Sequence, residues 1–214
     1  MNKNSKIKQL YIIGAGSVGG HIASNPGLYG LENTEILFMD QNPEKIGKTF
    51  FGKKIVGSEE DLLEMDESVQ VVISAAFHNI KKRIYDKLAL QEHISFPSLI
   101  AKNAWISNDV NIGKGVIVYP NSSINYGCTL ADFSILNMNC AIGHECRIGK
   151  FTSLAPGVSL GGNTVIGDFT EMGIGSSTKQ FINIGNNVQV GGQAMVVNNI
   201  KSGVKVKGIP AKEF

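Results

Sequence analysis

The chain has 214 residues, 43 % of them hydrophobic and 18 % charged, the composition of an ordinary globular protein with room for one large domain or two small ones. A net charge of +2 provides no basic stripe of the kind that nucleic acid requires, so no nucleic-acid partner is expected. No apolar run reaches the length of a membrane span, and the basic start carries no cleavage pattern, so we expect no membrane insertion and a cytoplasmic location.

Residues 1–100 alternate strand and helix signals. "QLYIIGAG" reads as an apolar strand entering a glycine turn, and "SVGGHIASNPG" opens as a helix. "TEILFMD" is a second strand ending in Asp40, and "GSEEDLLEMD" predicts a short helix with Ser58 as its cap. "VQVVISAA" is a third strand, "NIKKRIYDKLAL" a helix, and "ISFPSLI" a fourth extended piece. This alternation implies an α/β domain with a parallel sheet, whose ligands bind at the carboxyl ends of the strands.

The turn "GAGSVG" satisfies GxGxxG between a strand and a helix, with Asp40 about twenty residues on. Such a turn brings backbone close to a pyrophosphate, and the acid can read a ribose or a base. NAD and a nucleotide-linked sugar both satisfy it. Four strands fall short of the full dinucleotide fold, which favours the nucleotide-sugar over hydride chemistry.

From residue 101 to 214 the pattern changes. Counting in sixes from Ile106, the positions Ile112, Val118, Ile124, Leu130, Leu136, Ile142, Ile148, Leu154, Leu160, Ile166 and Met172 are all apolar. A second register from Val110 through Cys128, Cys140, Cys146 and Thr164 to Ser176 is small or β-branched, and glycine often follows the apolar beat. This period belongs to a parallel β-helix, three repeats making one triangular coil of eighteen residues. Thr178 interrupts the beat while Ile184, Val190 and Val196 restore it in phase, which predicts a local distortion at 177–182. The three cysteines fit no metal or redox spacing and are expected as buried thiols.

Of four histidines, only His144 lies in the repeats, which leaves a three-histidine zinc site no place there, and no metal is expected. Residues eighteen apart stack about one strand spacing (~4.8 Å) apart, so His144 should lie between Tyr126 and Gly162. Glu145 can hold the imidazole tautomer, and Gly162 offers an amide that no side chain obstructs. A base, an orienting carboxylate and an amide donor are what acyl transfer needs. A solvated surface histidine on a trimeric scaffold is the alternative, against which the intact glycine turn argues.

"HECRIG", followed by "GVSLGGNTVIG" and "VKGIPAK", resembles the hexapeptide-repeat sugar acyltransferases. These include N-acetyltransferases of nucleotide-linked 4-amino-4,6-dideoxy sugars and the related sialic acid O-acetyltransferases. The resemblance implies a Rossmann-like nucleotide-sugar domain at 1–100, a left-handed β-helix at 101–214, and a homotrimer using acetyl-CoA. By position it makes His144 the general base, Glu145 its partner and Gly162 the oxyanion donor. It puts Asn137, Ile174 and Gly192 against acetyl-CoA. The nucleotide-sugar falls to Gly14, Gly16, Ser17, Val18, Asp40, Gln41 and Ala75 or Ala76. One position departs: Ser153 stands where these N-acetyltransferases carry a second histidine near the thioester.

Overall fold

A computed structural model describes residues 7–75 and 77–214. Residue contacts divide the chain into one unit ending at Pro97 and a second spanning Ser98–Phe214.

In the first unit β1 (Gln9–Ile13), α1 (Ser17–Ser24), β2 (Glu35–Met39), β3 (Thr49–Phe50), β4 (Lys53–Gly57), β5 (Val69–Ile73), α2 (His78–Leu88) and β6 (Ile94–Ser95) follow in order. They form a six-stranded sheet in the order β3-β4-β2-β1-β5-β6, parallel apart from the β3–β4 hairpin. The central strands are almost wholly buried, as their largely apolar sequences require when both faces of a sheet are covered. The β3–β4 hairpin was not expected from the sequence; it raises the sheet from the four strands expected to six, so strand count does not separate a nucleotide-sugar site from a dinucleotide one. "GSEEDLLEMD" forms only a 3₁₀ turn at Asp61–Glu64, and its cap runs opposite to expectation. Ser58 donates its amide (2.8 Å) and its hydroxyl (3.4 Å) to Asp61 Oδ2.

The fourth extended piece divides. Ile94–Ser95 joins the first sheet as β6, whereas Leu99–Ile100 pairs with Ile117–Val118 as the first rung of the second unit.

That second unit is a parallel β-helix. Two-residue strands recur every six residues from Trp105–Ile106 to Met195–Val196, and each pairs with the strand eighteen residues on, as Ile117 does with Ile135 and Ile142 with Leu160. Three flat sheets result. The first face carries Ile135–Leu136 and Ser153–Leu154, the second Ala141–Ile142 and Ser159–Leu160, the third Arg147–Ile148 and Val165–Ile166. The apolar beats fill the interior, with Cys128, Cys140 and Cys146 buried as free thiols beside them. Burial pushes the Cys140 thiol up to about 11.

No distortion occurs at 177–182. Ser177–Thr178 pairs in register on both sides, because the inward Thr178 hydroxyl is satisfied: it accepts from the Gly161 amide at 3.1 Å and meets the Thr164 hydroxyl at 3.0 Å. A polar group can replace an aliphatic beat when its hydrogen bonds are made inside the coil. Lys205–Lys207 and Lys212–Glu213 end the chain as a hairpin on the first face. Among the described residues no helix is long and apolar enough to cross a membrane.

Candidate functional site

The corner between the second and third faces brings His144, Glu145 and Gly162 together. The backbone is tied to both neighbouring coils, since Glu145 N donates to Tyr126 O at 2.8 Å and Asn163 N to His144 O at 2.8 Å. Above, the Tyr126 ring stacks on the imidazole at 5.3 Å between centroids and 10° between planes. Below, Gly162 leaves the room the imidazole fills: a Cβ there would lie 2.5 Å from Nε2 and 2.7 Å from Cε1. His144 Nδ1 lies 3.0 Å from Glu145 Oε2. An ionised carboxylate only accepts, so Nδ1 carries the proton and Nε2, the atom over Gly162, keeps its lone pair.

The Gly162 amide has no acceptor among the described residues. At the same point of the repeat one corner on, the amides of Lys150 and Asp168 are capped by side chains of the next coil, Asp168 Oδ1 (2.7 Å) and Asn186 Oδ1 (2.8 Å). The uncapped donor beside an available imidazole nitrogen is the arrangement that stabilises a developing oxyanion.

Next to this corner a groove of about 400 Å³ runs along the second face. Its floor is built from small outward side chains, Ser123, Ala141, Ser159 and Ser177, and its edge from Gly143 and Gly161. The opposite border of that face is the corner holding Asn137, Ile174 and Gly192, where Gln193 N donates to Ile174 O at 2.8 Å and Asn137 Oδ1 accepts from Met138 N at 2.8 Å. Ser153 points outward on the first face. It lies nine residues, half a coil, from His144, so one chain does not bring the two together.

In the first unit a cavity of about 150 Å³ lies at the carboxyl ends of the parallel strands. Gly14 follows β1, Asp40 and Gln41 follow β2, Glu59 follows β4 and Ala75 follows β5, with two isoleucines of α2 completing the wall. Gly14 has φ +100°, and a Cβ would lie 3.2 Å from the Ser74 hydroxyl. Gly16 faces open space, and Ser17 and Val18 begin α1, whose first amides have no partner within the helix. The third glycine of the motif, Gly19, serves packing instead: a Cβ would lie 2.7 Å from Gly14 O and 2.9 Å from Phe38.

Asp40 is held by Lys45 at 2.8 Å and by the amides of Asn42 (3.0 Å) and Ala15 (3.2 Å). Burial pushes its carboxyl up, but these partners outweigh it and keep the group below the ordinary carboxylate range. Ala76 lies outside the described residues. Sequence reasoning missed Glu59, because the strand that delivers it, Lys53–Gly57, opens on two lysines and shows little apolar alternation.

His21 and His93 serve the fold, meeting the Tyr29 hydroxyl and Leu62 O at 3.0 Å each, and His78 begins α2. Among the described residues no group of three His, Cys, Asp or Glu side chains is placed to hold a metal ion.

No family model matches the chain, and no curated protein matches it. Solved structures do. The acetyltransferase domain of PglB from Neisseria gonorrhoeae is 30 % identical, over 97 % of this chain and all of the other, at a TM-score of 0.85. The same domain in complex with acetyl coenzyme A is 29 % identical over 97 % of this chain and 100 % of that one, with a TM-score of 0.87. A histidine-to-asparagine variant of perosamine N-acetyltransferase from Caulobacter crescentus, in complex with CoA and GDP-perosamine, is 25 % identical over 97 % of both chains, with a TM-score of 0.86.

Proposed function

Starting from the family to which this chain belongs, the hexapeptide-repeat sugar N-acetyltransferases, we propose that it transfers the acetyl group of acetyl-CoA to the 4-amino group of a nucleotide-linked 4-amino-4,6-dideoxy sugar. The observation that carries this reading is the imidazole of His144 seated between Tyr126 and the uncapped amide of Gly162, with Glu145 on its far nitrogen.

The sugar nitrogen attacks the thioester carbonyl as His144 Nε2 takes its proton, while the Gly162 N–H holds the oxyanion. The C–S bond then breaks and the thiolate leaves, taking its proton from the imidazolium. Acetyl-CoA lies along the groove of the second face, bordered by Asn137, Ile174 and Gly192. In the nucleotide-sugar site Gly14, Gly16, Ser17 and Val18 receive the pyrophosphate, and Asp40, Gln41 and Ala75 line the rest.

The order β4-β2-β1-β5, with α1 crossing from β1 to β2, supports a Rossmann-like first domain, and the family supports a left-handed coil in the second. A homotrimer is supported by the resemblance to hexapeptide-repeat acyltransferases. It is also the way Ser153 of one copy can approach His144 of the next, because half a coil separates them within a chain. Three reduced thiols support a cytoplasmic location.

The test is thiol release from acetyl-CoA with amino-sugar nucleotides as acceptors. His144→Ala should lower kcat by about 10²- to 10⁴-fold with little change in acetyl-CoA affinity. Near wild-type turnover in that variant, with the acceptor saturating, removes His144 from the chemistry.

A further inference from the structure

The proposed transfer leaves Glu59 without a task. Its side chain follows β4, is 1 % exposed, and lines the cavity shared by Gly14, Asp40, Gln41 and Ala75. One carboxylate oxygen, Oε1, accepts from Gln41 Nε2, while Oε2 has no partner among the described residues. A buried acceptor with no donor is rare in folded proteins and marks a missing partner.

The carboxylate is held from behind. Arg83 Nη2 donates to Gln41 Oε1 at 3.3 Å, so the Gln41 amide turns its nitrogen to Glu59. The sequence motif pointed to Asp40 as the acid that reads the ligand. Asp40 already accepts from Ala15, Asn42 and Lys45 across both of its oxygens. Of the two acids at the strand ends, Glu59 keeps the unpartnered acceptor.

We infer that Glu59 is the specificity-determining residue for the nucleobase, its open carboxylate oxygen accepting from the donor edge of guanine, so that the sugar carrier is a guanosine diphosphate. Guanine presents two adjacent donors, N1–H and the 2-amino group, to a carboxylate. Uracil and thymine present one N–H between two carbonyl oxygens, and a fixed carboxylate repels both. Gln41 is then a positioning residue, and Asp40 a strut of the strand ends. The inference rests on the nucleotide-sugar reading above and adds the base to it.

Calorimetry of GDP, UDP and dTDP with the full chain tests it. GDP should bind at least about tenfold more tightly than either pyrimidine nucleotide, the discrimination a specific base contact provides. Glu59→Gln, which sets an amide where the acceptor stood, should lower GDP affinity about tenfold or more and leave UDP affinity unchanged. Wild-type preference for UDP or dTDP, or undiminished GDP binding by a folded Glu59→Gln variant, overturns the assignment and leaves the acetyltransferase standing. Should the variant fail to fold, the wild-type comparison decides alone. If none of the three nucleotides binds, the nucleotide-sugar reading falls and Glu59 with it.

Discussion

At Gly162 a single hydrogen in place of a methyl group decides whether the imidazole of His144 can lie where it does. A Cβ would stand 2.5 Å from Nε2 and 2.9 Å from Cδ2, closer than carbon and nitrogen approach without a bond. Gly162→Ala must therefore turn the ring away, breaking either its stack on Tyr126 or its bond to Glu145. We expect turnover to fall by about 10²-fold, the cost of moving a reacting group by an ångström. Gly167→Ala is the control. A Cβ there would run into Asn186 Oδ1 and meet the backbone of Gly185 and Asn186 at 2.6 and 2.7 Å, but no imidazole faces it. Gly167→Ala should lose more thermal stability, because backbone cannot turn aside as a ring can, yet only Gly162→Ala should lose turnover. Equal turnover at matched folded fraction would separate Gly162 from the chemistry. The pairing of His144 with Gly162 was legible in the sequence because stacking at eighteen residues is arithmetic once the period is known. The role of Glu59 was not, since a buried orphan oxygen depends on the β3–β4 hairpin, and "KKIVGSEE" shows too little apolar alternation to announce a strand.

The elements show a third register that the sequence disguised. Every sixth residue from Gly115 to Gln193 takes a left-handed conformation with φ between 55° and 73°, and the set includes Phe133, Glu145, Phe151 and Asn163. Glycine and asparagine are the usual occupants of such a position, whereas phenylalanine conceals it. Here the rings of Phe133, Phe151 and Phe169 compensate by stacking at 5.1 and 5.3 Å up one corner. The glycines that follow the apolar beats do a different job: a Cβ on Gly143 would lie 2.6 Å from Gly162 N, so these positions let adjacent coils close.

In the first unit the element to test is α2, whose Lys81 is 1 % exposed. Burial pulls its ammonium down to about 7, well below the unfolded value. Between those two values the unfolded chain holds a proton that the folded one lacks, so stability should rise as pH climbs from about 7 towards 10. The penalty is full below about pH 7. Lys81→Met should flatten this dependence, the difference between the two proteins changing by a few kcal/mol across that interval, on the order expected for a shift of this kind. Urea unfolding of both at pH 7, 8.5 and 10 measures it, and parallel pH profiles would show that Lys81 titrates as an ordinary lysine.

Across the whole molecule each unit has its own core. The buried cluster of the β-helix runs from Val116 to Val206, with Ile100 and Ala211 among the partly buried residues packed on it, all of them residues of the second unit. Strands stacked at constant spacing draw their stability from nearest neighbours, as in other solenoids. Residues 98–214 alone should therefore fold, and should sediment as three copies if the faces of the β-helix make the trimer. Nucleotide affinity should disappear, because Gly14, Asp40 and Glu59 all belong to the removed part. Acetyl-CoA affinity should stay within about threefold of the intact chain, less than one kcal/mol, because the groove of the second face is built wholly from residues 123–195. Sedimentation equilibrium and calorimetry on the fragment decide each part separately. A folded trimer that no longer binds acetyl-CoA would move part of the cofactor site into the first unit, whereas a fragment that still binds nucleotide would move the nucleotide site out of it.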